Sequence, residues 1–211
     1  MHKSSFIWEL LRKTVHLSGL LIVVGYTLIL HFFSARVAIL AMTAVLLILL
    51  EIEYVRLEHR SRFTAFFDCM FRKHEKDNVS SAVFLVVSCI ICFAAFDYWI
   101  AVVALFMTVF GDLFAALFGR AFGKTILYNT KTYVGTIAGL LANVGVGILI
   151  LPEVIYLVVI MGVVASFTEL ITNKMDDNLT VPMFTGFAGQ MLVYVLQIDL
   201  PSIDFTYLGL F

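Results

Sequence analysis

The chain has 211 residues, 62% of them apolar and only 14% charged, with a formal net charge of −1. Soluble domains carry about 25% charged residues, so the composition excludes an ordinary soluble fold. The near-neutral total says nothing of partners, because the charges segregate along the chain.

Apolar stretches close to the roughly 20 residues needed to cross a bilayer recur at about 17–33, 35–50, 79–96, 99–118, 133–151, 154–168 and 181–196. The expected fold is all-α: a polytopic transmembrane helix bundle of about seven spans, with residues 1–211 forming one integral membrane domain. No small-x-small cleavage site follows the first stretch, so it reads as a span and not as a cleaved signal. Lys3, Arg12 and Lys13 precede the first span, and Arg56, Arg60, Arg62, Arg72, Lys73 and Lys76 follow the second. Arg120, Lys124 and Lys131 follow the fourth, and Lys174 follows the sixth. Only Arg36 falls on the opposite side. Basic connections mark the cytoplasmic face, so a cytoplasmic N-terminus is expected.

The polar segments on that side come next, in chain order. Arg12 and His16 lie one turn apart where the first span begins, beside Lys13. The two cations suit membrane anchoring or a ligand; His16 is a base, a phosphate ligand or a packed neutral imidazole. The long connection at about 51–78 carries Phe63, Phe66, Phe67, Met70 and Phe71 at helical spacing among basic residues. That pattern describes an amphipathic helix in the membrane interface, acting as a tether or as a gate beside a lipid site. Cys89 and Cys92 have redox-motif spacing but sit inside an apolar span, where they read as packing residues.

Asp112 stands among apolar residues near the end of the fourth span, and a carboxylate there is a functional-site candidate. On a helix it shares a face with Ala116, Gly119 and Gly123, with Arg120 two turns away and Lys124 and Lys131 following. The run from Gly119 to Thr125 imitates a P-loop, but it has three residues between its glycines where four are required and follows a membrane span, not a strand. Gly135, Gly139, Asn143 and Gly147 are four apart on one face of the fifth span. Small residues allow close helix approach in lipid, so the fourth and fifth spans should pack tightly. Glu169, Asn173 and Asp176 would stack on one face of a continuing helix, followed by Asp177 and Asn178. Acids and amides gathered beside a membrane suit Mg²⁺ with substrate phosphates.

These motifs, in order, are Arg-Lys-x-x-His-x-x-x-Gly from Arg12, Gly-Asp-x-x-Ala-Ala-x-x-Gly-Arg-x-x-Gly-Lys from Gly111, Lys-Thr-x-x-Gly-Thr from Lys131, and Glu169 with Asp-Asp-Asn-x-Thr-x-Pro from Asp176. Together they resemble the polyprenol kinases, a family that includes dolichol kinase, phytol kinase and the CTP-dependent diacylglycerol kinase. The resemblance covers Arg12 through Pro182. It implies transfer of the γ-phosphate of CTP to a lipid alcohol with a divalent cation. The acceptor is taken as an isoprenoid alcohol, with diacylglycerol as the alternative. The middle motifs are also similar to those of phosphatidate cytidylyltransferases, but the His-Gly-Gly-x-x-Asp-Arg run of that family is absent. A small transporter is a further alternative.

On this resemblance the partners are a nucleoside triphosphate and a membrane lipid alcohol, with no nucleic acid. Asp112, Glu169, Asp176 and Asp177 would hold Mg²⁺. Arg12, Lys13, Gly119, Arg120, Gly123, Lys124, Lys131, Thr132, Gly135 and Asn178 would bind the nucleotide. His16 or one of the acids, Asp112 or Asp177 among them, would accept the alcohol proton. The acidic ends of the fourth and sixth spans are expected to converge on one ion.

Overall fold

The computed structural model describes residues 17, 19–58, 78–173 and 175–202. Within them the chain is helical apart from one short hairpin. The helices are α1 (Leu20–Phe32), α2 (Ala35–Glu58), α3 (Ser81–Ala95), α4 (Tyr98–Phe122), α5 (Tyr133–Ile150), α6 (Ile155–Ile171) and α7 (Asp177–Leu196), and each falls on one of the apolar stretches. Strands β1 (Ile126–Tyr128) and β2 (Lys131–Thr132) form an antiparallel hairpin between α4 and α5. Five helices, α2 and α4 to α7, are long and apolar enough to cross a membrane; α1 and α3 are shorter apolar helices. Apolar side chains such as Leu47, Leu149 and Phe184 lie on the outer surface, as expected of a membrane-embedded chain.

The structure corrects three expectations. The polar connection expected from residue 51 starts later, because α2 continues to Glu58. Glu53 and Arg56 are buried and neutralise each other at 2.6 Å, so their charges do not end the helix. The guanidinium also donates to the Asn78 carbonyl (2.6 Å), tying the end of α2 to the approach to α3. Glu169 and Asp176 do not share one continuing helix: α6 ends at Ile171 and Asp176 caps α7, its carboxylate accepting from the Asn178 amide (3.0 Å). An aspartate at this position satisfies an N–H group of the first turn that the helix leaves unpaired. The last helix therefore begins at Asp177, and Pro182 lies inside it. The hairpin is a short local exception within a fold that is otherwise all-helical, as expected. Its turn places Asn129 at φ 49°, a left-handed conformation that asparagine tolerates better than most residues. The amphipathic helix expected within 59–77, and Arg12, Lys13 and His16, lie outside the described residues.

The helices pack so that the polar connections gather at one end. Ser81 at the start of α3 donates to Asp176 at the start of α7 (2.8 Å), and the Thr172 and Thr180 hydroxyls join the end of α6 to α7 (3.2 Å). Lys131 of the hairpin donates to the Glu169 carbonyl near the end of α6. At the opposite end, Gln190 of α7 accepts from the Asp97 amide and donates to the Asp97 carboxylate, both at 2.8 Å. There too the Trp99 indole donates to the Pro201 carbonyl (2.8 Å).

Helix α4 is the central element. Ala101, Val102 and Leu105 join a core with Val23, Met42 and Cys89, while Ile100, Val103 and Met107 join a second core with Leu157, Val158 and Met161. Cys89 and Cys92 are buried packing residues, as their place in an apolar helix implied.

Candidate functional site

The site is built where α4 meets α5. All four residues of the small-residue face, Gly135, Gly139, Asn143 and Gly147, are buried. Gly135 lies directly against α4: a β-carbon added there would come 2.8 Å from the Ala115 carbonyl oxygen and 3.2 Å from the Gly119 α-carbon. Backbones that close need glycine on both sides. The expected tight packing of these two spans is therefore observed.

Close approach of the helices brings their polar residues together. A cavity of about 200 Å³ is lined by Asp112, Ala115, Ala116, Gly119 and Arg120 of α4, by Thr130, Lys131 and Thr132 of the hairpin, by Gly135 and Thr136 of α5, and by Glu169 of α6. Thr132 caps α5, its hydroxyl accepting from the Gly135 amide (3.2 Å), and the Thr136 hydroxyl donates to the Thr132 carbonyl (3.1 Å). The hairpin holds Lys131 over the cavity, with its ammonium bonded to the Glu169 carbonyl and 4.0 Å from a Glu169 carboxylate oxygen. Gly123, just after α4, packs against Thr132 and closes the base of the hairpin.

Of the residues expected from the sequence, the cavity gathers Asp112, Gly119, Arg120, Lys131, Thr132, Gly135 and Glu169. Lys124 is exposed and outside the lining. Asp176, Asp177 and Asn178 stand at the start of α7, also outside it, with Asp176 bonded to Ser81. Among the described residues, no group of three or more His, Cys, Asp or Glu could hold a metal ion. The four carboxylates expected around one ion are therefore not assembled as one cluster, because the α6–α7 turn directs Asp176 to α3. Sequence reasoning missed Ser81 and Thr136. Thr136 sits one turn after Thr132 inside a motif already singled out, whereas nothing local marks Ser81 as a partner of Asp176.

A second concavity, about 560 Å³, runs along the same turns of α4 and α5 and is mostly apolar, lined by Phe114, Phe118, Val134, Ile137 and Leu141 among others. Phe114 and Phe118 stack with ring centroids 6.0 Å apart and form one of its walls. A mostly apolar concavity of this volume is of the size that holds small organic ligands.

Compared with family models, curated proteins and solved structures, the chain matches none. Fold and site together define a helical, membrane-embedded chain with a mixed-charge cavity at the end where its described polar connections meet.

Proposed function

We propose that the protein is a multi-pass membrane kinase that transfers the γ-phosphate of CTP, or of a related nucleoside triphosphate, to an isoprenoid-type lipid alcohol. Its site faces the cytoplasm, on the side of its N-terminus. One observation carries this reading: two cations and two carboxylates, Arg120, Lys131, Asp112 and Glu169, line one small cavity at the basic end of an apolar bundle.

Phosphoryl transfer requires charge neutralisation and in-line positioning more than covalent help. Arg120 and Lys131 supply fixed positive charge for phosphate oxygens, and the N-terminus of α5 adds N–H groups and the positive end of its dipole. Gly119 and Gly135 let α4 and α5 approach closely enough to bring these charges to one cavity. Two carboxylates fit Mg²⁺, which takes one or two from protein and completes its shell with water and phosphate oxygens. Asp112 and Glu169 are the residues that would hold it, and when bound it supplies neutralising charge to the triphosphate. The acceptor hydroxyl gives its proton to a carboxylate of the cavity or to His16. The apolar groove on the same turns of α4 and α5 keeps a lipid tail within reach of the polar end.

Purified protein incubated with γ-labelled CTP and a panel of lipid alcohols should place the label on the lipid and release CDP. Release of pyrophosphate with the cytidylyl group on the lipid would make the protein a cytidylyltransferase instead. No nucleotide-dependent product with any alcohol would overturn the proposal.

A further inference from the structure

We infer that Asn143 is the positioning residue of the cavity, a peg on α5 that fixes the spacing between Asp112 on α4 and Glu169 on α6. Asn143 is 1% exposed in the middle of a helix that is apolar or glycine for two turns on either side except at Thr136 near its start. Its Nδ2 donates to the Ser166 hydroxyl of α6 at 3.0 Å. Its Oδ1 is buried and accepts no hydrogen bond among the described residues. On the α4 side the carboxamide lies against Gly111, where an added β-carbon would collide with it.

These contacts fall beside the two carboxylates. Gly111 immediately precedes Asp112, and Ser166 is one turn before Glu169 on the same helix. One turn down α5, a β-carbon at Gly139 would lie 3.3 Å from the Gly111 carbonyl oxygen and 3.7 Å from Glu169 Oε2. A single side chain thus touches both carboxylate-bearing helices within a turn of their charges.

The physical reason is directional. Apolar surfaces tolerate a slide of one helix past another by a residue rise of about 1.5 Å. A hydrogen bond weakens steeply over such a distance. A buried polar residue that costs stability and fixes helix register is the best-attested use of such groups. The carboxamide bridges the two helices through its Ser166 hydrogen bond on one side and its close fit against Gly111 on the other.

The test measures spacing first. In a chain with Cys69, Cys89 and Cys92 replaced by alanine, cysteines are placed on the cavity walls by Ala116→Cys and Glu169→Cys. Thiol cross-linkers of graded length are then applied to the protein in nanodiscs. With Asn143 present, one linker length should dominate. With Asn143→Leu, the preference should broaden towards longer linkers at unchanged helical content. Identical linker profiles overturn the inference. If Asn143→Leu does not fold, Ser166→Ala cuts the α6 contact alone and should broaden the profile in the same direction; an unchanged profile again overturns it. Asn143→Asp keeps a bond with the Ser166 hydroxyl as donor and should restore the narrow profile.

A kinetic arm rests on the proposed reaction. In the otherwise native chain, Asn143→Leu should lower kcat on the order of tenfold to a hundredfold, while KM for CTP moves less than about threefold because Arg120 and Lys131 are untouched. Equal changes in both overturn the positioning role. Absence of any transfer by the unmodified protein refutes the proposed reaction alone, and the cross-linking then decides for Asn143.

Discussion

At the scale of single residues, Asp112 has the most to lose. Asp112→Asn preserves the shape of the side chain while removing its charge from the cavity. Lipid phosphorylation, measured with labelled CTP, should fall on the order of a hundredfold or more with the protein still folded; near-normal turnover would remove Asp112 from the chemistry. Lys131→Ala should raise KM for CTP and also lower stability by about 1–2 kcal/mol, since the ammonium holds the end of α6 through the Glu169 carbonyl. Thermal unfolding in detergent measures the second effect. The same assay tests the seam: Gly135→Ala drives a methyl group onto the Ala115 carbonyl and should cost about 1–3 kcal/mol. At Gly145 nothing lies within 4 Å of an added β-carbon, so Gly145→Ala should be neutral or gain up to about 1 kcal/mol from helix propensity. Equal behaviour of the two variants would refute the close contact. Asp112, Arg120, Lys131 and Glu169 were legible in the sequence as residues that gather, because charges beside apolar spans are costly and turn towards the bundle interior or a cavity. The partner of Asp176 was not legible, because which helix starts adjoin is set by the bundle and not by spacing along the chain.

At the scale of elements, the start of α7 is fastened twice, by the Asp176 cap and by the Ser81–Asp176 hydrogen bond. Losing an aspartate cap costs about 1 kcal/mol, so Asp176→Ala should lower the unfolding temperature. Ser81→Ala in the Asp176→Ala background should then cost less than Ser81→Ala alone, because the bond between these two side chains is already gone. Full additivity in that double-mutant cycle would show that the two side chains do not act as a pair. All seven apolar stretches became helices because length and apolar composition are local properties. Boundaries were less readable. Helix α2 runs past residue 50 because Glu53 and Arg56 cancel one another inside the fold, and a linear scan of hydropathy sees only two charges. The hairpin was missed for a similar reason: β1 and β2 are three and two residues long, too short for an alternating pattern, and Asn129 was the sole local signal.

At the scale of the whole molecule, the arrangement of ends carries a topological prediction. In the proposed orientation, Lys124→Cys, beside the hairpin, should react with an impermeant thiol reagent added from the cytoplasmic side. Glu153→Cys, in the turn between α5 and α6, should react only from the other side. Labelling of both from one side would refute the orientation. Helix α2 adds a dimension to this picture. Arg36 near its start is exposed, and Arg56 lies twenty residues further along the same helix. At about 1.5 Å per residue they stand about 30 Å apart, one hydrocarbon thickness of an ordinary bilayer. The helix is thus a built-in ruler with an exposed guanidinium at one mark and a buried, neutralised pair at the other; a bilayer much thicker than that length would drag the Arg36 guanidinium into oil, and a much thinner one would force the helix to tilt.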